Sequence, residues 1–312
     1  MSGVIRDFVG YGKDYPRIRW PDSARIAVAM VVNYEVGSER SPVYGDDPAK
    51  SWEGEAFLVE AGRRDLRHES TFDYEGRVGV WRLLDIFDEF GVKVTFSAGA
   101  RALEKNPIVA AEITARGHEP QSHGYLWMPI GSLSREQQRE HISKAVDAIR
   151  KTTGERPLGW RSQGPNEITR ELLIEEGGFI YDGDALNDDL PYFVNTNGKK
   201  WLVIPYSLEL NDMKFWHHPG YSHGQDFLDS LKDTFDVLYE EGKEFPQIMS
   251  VGLHPRQVGR PSRAGAVSEF IRYAQGFPGV WFARRIDIAR WWLENYSHFP
   301  ALPLPDDKEQ ST

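Results

Sequence analysis

Short, almost uniformly apolar runs alternate along the chain with longer stretches whose apolar residues recur at helical spacing, the order that encodes a parallel α/β sheet. Residues 24–34 predict a first buried strand, because a nearly continuous β-branched run needs cover on both faces. Residues 79–90 predict a helix closed by Gly91 and followed by a strand over 93–98. The next helix is predicted over 107–116 with Gly117 as its stop, and residues 118–122 run through a short strand into a loop at His123. Ser134 opens a helix reaching Thr153, with Gln137 completing a capping box and Gly154 ending it. Beyond it the pattern gives strands at 158–161, 179–182, 202–204, 248–253 and 280–283, and helices at 167–176, 225–242 and 263–274.

This amounts to about seven strands, each with a helix nearby, and no linker rich in Pro, Gly or Ser interrupts them. One domain over residues 1–312 is expected, its core spanning about 20–292, with loosely held tails at 1–14 and 305–312.

Composition narrows the chemistry. There are no cysteines, which excludes disulfides, zinc–thiolate sites and a thiol nucleophile. A net charge of −10, with basic and acidic residues interspersed, argues against a nucleic-acid partner. The apolar runs are far shorter than the roughly 20 residues that cross a bilayer. With an N-terminus unlike a signal peptide, a cytoplasmic protein is expected. The ten Trp and 13 Tyr suit stacking on a sugar or planar heterocycle as well as ordinary core packing. No GxGxxG or GxxxxGK[ST] loop and no GxSxG elbow occurs, so neither a phosphate cradle nor a serine nucleophile is expected.

The informative signal is titratable residues at the carboxyl ends of predicted strands, where parallel barrels build their sites: Glu35, His123, Arg161, Asp182 with Asp184, and His254. Asp182 and Asp184 fit a capped turn equally well. Glu39-Arg40 and Gly45-Asp46-Asp47 follow the first strand as possible pocket borders. His217, His218 and His223 lie in a polar loop and read as surface residues.

These segments resemble, in order, the motifs of the polysaccharide deacetylase family. They are Asn33-Tyr34-Glu35-Val36-Gly37, Ser122-His123-Gly124-Tyr125-Leu126-Trp127, Gly159-Trp160-Arg161, Tyr181-Asp182-Gly183-Asp184 and Leu253-His254. Within the family the chain is most similar to the allantoinase-type branch, through Trp20-Pro21-Asp22, Asn33-Tyr34-Glu35, Gly79–Leu84, Asn187–Tyr192 and Gly252-Leu253-His254-Pro255-Arg256. The resemblance implies a distorted parallel (β/α) barrel and hydrolysis of a non-peptide carbon–nitrogen bond, on a small or cyclic amide such as allantoin or a related ureide. Its alternatives are an N-acetyl-sugar deacetylase and an inactive carbohydrate-binding homologue. A homo-oligomer, tetramer or dimer, is also implied.

Departures from the family pattern bear on the metal. Deacetylases that hold a divalent ion use an Asp and two His four residues apart, and here Trp127 stands at the second His position. Glu35 and His123 would be the ligands if zinc or a similar ion were bound, with Glu119 or Asp184 to supply a third; the expectation is that none is required. Val36 stands where allantoinase-type members commonly carry a second Glu. Glu35 is then expected to be the general base, with a pKa raised by surroundings that include Tyr34 and Trp127. His254 becomes the general acid, His123 a donor to the carbonyl oxygen or to water, and Arg161 a stabiliser of charge or an orienter of Asp184. Asn33, Tyr34, Tyr125 and Trp127 are the expected substrate contacts.

Overall fold

A computed structural model describes residues 7–46 and 63–298. The Gly45-Asp46-Asp47 segment leaves the described residues at Asp47, as does the tail 305–312.

The sheet is built outward from β1 (Ile26–Tyr34), whose nine residues are all buried. Its nearly unbroken apolar run is explained by cover on both faces, with Ile26, Val28, Met30, Val32 and Tyr34 in one core cluster and Ala27 and Ala29 in another. On one edge β1 runs parallel to β8 (Gln247–Leu253); on the other, β9 (Val280–Phe282) and β2 (Thr95–Ala98) lie end to end, beside its first and second halves. The parallel order continues through β3 (Glu119–Ser122), β4 (Gly159–Trp160), β5 (Tyr181–Asp182) and β7 (Lys199–Val203), and β6 (Tyr192–Thr196) adds an antiparallel edge to β7. The open side between β8 and the far strands is bridged by a parallel contact of Asn211 with Gly252. The result is a curled α/β half-barrel.

Helices cover its outside. They are α1 (Leu66–Tyr74), α2 (Val80–Glu89), α3 (Ala100–Lys105), α4 (Pro107–Ala115), α5 (Arg135–Thr153), α6 (Glu167–Glu176), α7 (Gly224–Glu241), α8 (Pro261–Gln275) and α9 (Arg285–Asn295). The capping box of Ser134 and Gln137 forms as the sequence requires, and Gly154 closes α5 in the left-handed conformation (φ 77°), which costs glycine nothing. Nine strands form among the described residues; the one without a counterpart among the predicted ranges is β6, a hairpin strand whose apolar run, Tyr192-Phe193-Val194, is short and only half-buried. The helix expected over 79–90 begins at Val80; a π-turn at Glu75–Gly79 joins it to α1. Helices α1, α3 and α9 have no counterpart among the predicted elements. Nor is the N-terminal tail wholly loose, since Tyr11 donates to Asp188 at 2.7 Å and packs edge-on against Tyr15. No helix among the described residues is long and apolar enough to cross a membrane.

Candidate active site

Successive side chains of a strand face opposite ways, so Asn33 and Glu35 leave the end of β1 toward the barrel interior while Tyr34 faces outward. The expectation that Tyr34 contacts substrate is corrected by this alternation: its ring is fully buried in the outer core, and its hydroxyl accepts from Asn106 at 3.1 Å. Glu35 meets three side chains that follow two other strand ends, those of β3 and β8. His123, just past β3, brings Nε2 to 3.3 Å from Glu35 Oε1, and His254, just past β8, brings Nε2 to 3.7 Å from the same oxygen. Arg256 places Nη2 at 2.7 Å from Oε2.

Each imidazole is oriented by its other nitrogen. His123 Nδ1 lies 2.7 Å from the Arg161 carbonyl, which can only accept, so Nδ1 carries the hydrogen and Nε2 is turned to Glu35. His254 Nδ1–H donates to Asp212 Oδ1 at 2.6 Å, and Asp212 Oδ2 accepts the His254 backbone N–H at 2.6 Å and that of Val258 at 3.4 Å. Asp212, which the sequence pattern did not single out, is completely buried.

The charges follow from these contacts. Burial works to raise the Glu35 carboxyl, but Arg256 and then His254, with hydrogen bonds from both imidazoles, hold it well below the usual carboxylate range. This corrects the expected raised pKa, since neither Tyr34 nor Trp127 sets the environment of Glu35. Burial alone would lower His254; Asp212 and Glu35 outweigh it and push the imidazole up to about 9. At neutral pH the site therefore pairs a carboxylate with an imidazolium whose Nε2 faces it.

The other expected residues divide. Arg161 lies on the face of Tyr206, 3.8 Å from the ring centroid, with Nη1 3.5 Å from Asn33 Oδ1. The Asn33 amide donates to the Tyr206 hydroxyl at 3.2 Å. Trp127 is half-buried, its ring 6.1 Å from that of Phe72, and the Arg256 guanidinium lies 4.4 Å over Phe72. These residues lie beside the Glu35 cluster. Asp184 has one oxygen committed to the backbone, Oδ1 accepting the Ser162 N–H at 2.6 Å just past β4 and β5, and Arg161 lies near enough for its charge to favour the ionised carboxyl against burial and Asp182; Asp182 itself is held by Arg170 at 2.6 Å and Trp201 at 2.7 Å. Tyr125 turns away, donating to Glu104 at 2.9 Å with Lys144 over its ring. Glu39 is buried and accepts the Gly37 N–H, and His217, His218 and His223 are exposed.

A divalent ion in a catalytic site of the zinc type needs three protein ligands and a water. Among the described residues no group of three His, Asp and Glu side chains is arranged to hold one. Glu119, considered as a third ligand, opens β3 level with Val31, four residues below Glu35 and thus about 13 Å away along the strands. Its oxygens accept from Tyr181 at 2.6 Å, Thr95 at 2.7 Å and the Ile286 N–H at 2.9 Å. Trp127 has no nitrogen lone pair to offer, and a permanent cation, Arg256, already faces Glu35. The donor set does not fit such an ion.

Comparison with known proteins places the chain. The polysaccharide deacetylase family model matches residues 67–166. A Schizosaccharomyces pombe protein assigned to the polysaccharide deacetylases is 37% identical over 314 residues, covering 94% of this chain and 98% of its own. Among solved structures, a probable polysaccharide deacetylase from Pseudomonas aeruginosa PAO1 matches with a TM-score of 0.89 at 45% identity, over 93% of this chain and 98% of that one. An allantoinase, Puue, matches with a TM-score of 0.86 at 45% identity, over 94% and 98%. This chain belongs to the polysaccharide deacetylase family and is a hydrolase of carbon–nitrogen bonds other than peptide bonds.

Proposed function

We propose that this hydrolase opens a small or cyclic amide such as allantoin or a related ureide, using protein side chains alone for acid–base work. The observation that carries the reading is the Asp212–His254 pair set against an ionised Glu35 inside a buried cluster. Glu35 Oε1 takes a proton from water as the water oxygen bonds to the amide carbonyl carbon. His254 Nε2–H then protonates the nitrogen as the carbon–nitrogen bond breaks, and the proton on Glu35 returns to the imidazole. His123, its Nδ1–H held by the Arg161 carbonyl, turns Nε2 toward Glu35 and accepts from the water that Glu35 activates. Arg161, supported by the Tyr206 ring, stabilises the negative charge that develops.

The similarity to an allantoinase over nearly the whole of both chains supports a ureide substrate. The half-buried Trp127 beside Phe72 suits a flat heterocycle. Deacetylation of an N-acetylated sugar is the second reading, favoured by the family description and the Pseudomonas aeruginosa structure. A panel of allantoin, hydantoin, N-acetylglucosamine and its oligomers separates the two, with ring opening followed by titration of the new carboxylate and deacetylation by acetate release. Ring opening without acetate release is expected. Acetate release with no ureide opened would replace the proposal with the second reading.

A further inference from the structure

Arg256 stands between two buried carboxylates. Its Nη2 lies 2.7 Å from Glu35 Oε2 and its Nη1 2.9 Å from Glu75 Oε2, and all three residues are at most 1% exposed. Glu75 also reaches back to β1, where its Oε1 accepts the N–H of Glu35 and, at 3.1 Å, that of Val36. One carboxylate thus fixes both the guanidinium and the backbone of the residue that the guanidinium faces.

The surrounding chain is built to hold this geometry. Glu75 opens the π-turn between α1 and α2, a form that recurs at functional sites. The turn that carries Arg256 packs against it so closely that a Cβ on Gly79 would overlap the Pro255 carbonyl, and one on Gly259 would overlap Gly79. Arg82 and Tyr74, from the same two helices, both donate to the Gly259 carbonyl. An isolated guanidinium would not be buried between strand ends without paired charges. Here the pairing is directed at the carboxylate proposed as base.

Resting on the proposed reaction, we infer that Arg256 supplies the fixed positive charge this site needs beside Glu35, and that Glu75 is the positioning residue that holds it there. Arg256 keeps Oε2 of Glu35 engaged, so Oε1 is the oxygen presented to the two imidazoles and to water.

Arg256→Ala tests this, with free guanidinium as the probe at millimolar concentrations far below denaturing ones. Turnover of the variant is expected to fall about 10²-fold or more and to recover at least about tenfold with guanidinium, but not with urea, which has the shape without the charge. Guanidinium is also expected to raise the melting temperature of the variant and not that of the wild type, because a ligand that binds the folded state stabilises it. Glu75→Gln keeps acceptors for the two N–H groups and loses the charge, so kcat is expected to fall about tenfold with KM little changed. Thermal rescue without recovery of turnover would reduce Arg256 to a structural ion pair. The absence of both, or a Glu75→Gln enzyme with normal kcat, would overturn the inference. If the wild type hydrolysed no ureide, the proposed function would fail while the thermal shift still reported on the cation site.

Discussion

Asp212→Asn is expected to lower kcat by roughly 10²-fold and to move the alkaline limb of the pH–rate profile downward by a unit or more. The His254 imidazolium is pushed up to about 9 against the opposing effect of burial, and Asp212 is the foremost of the groups that raise it. Asparagine keeps the volume but removes the charge, and it must turn an NH₂ toward one of two N–H donors that Asp212 now satisfies at 2.6 Å. The imidazole then loses its proton within the working range, and turnover is lost with it. The same linkage appears in stability. A histidine raised from 6.5 to about 9 stabilises the fold fully below about pH 6.5 and loses that contribution as pH rises through about 9. The melting temperatures of wild type and variant should therefore differ most at pH 6 and converge near pH 10. A lower kcat with an unmoved alkaline limb would show that His254 is not the acid.

Glu35→Gln is expected to reduce turnover by about 10² or more while the protein remains folded, because the amide cannot take a proton from water. Removing the carboxylate also removes a charge that raises His254, so the residual activity should show an alkaline limb below that of the wild type. Steady-state rates over pH, with circular dichroism as a check on folding, decide the matter. Near-normal activity would place the base elsewhere.

Much of the architecture was legible because its signals are local. The capping box at Ser134 and the stop at Gly154 are written within a few residues of the helix ends they form. The strand ends pointed to Glu35, His123, Arg161 and His254 for the same reason. Asp212, Glu75 and Arg256 were not legible as a group: Asp212 lies 42 residues before His254, Glu75 lies 40 after Glu35, and Arg256 lies 181 after Glu75. Nothing local marks such partners, although a Glu opening a polar stretch and an Arg two residues past a strand-end His were visible as residue types. Tyr34 could have been placed correctly from strand alternation alone, since it sits between Asn33 and Glu35 and must face the other way. Asp184 shows the opposite case. A carboxylate after a strand can cap a neighbouring backbone N–H as readily as it can do chemistry, and only the register of β4 with β5 decides.

The most direct test of a reaction run by side chains is allantoin turnover by protein dialysed against a strong chelator, with metal content measured in the same sample. The account predicts a neutral-pH rate within about twofold of the untreated protein at a metal content far below one ion per chain, since no step depends on a Lewis acid. Full inactivation by the chelator, reversed by added zinc, would contradict it and would mean that a metal site completes around Glu35 and His123 after all.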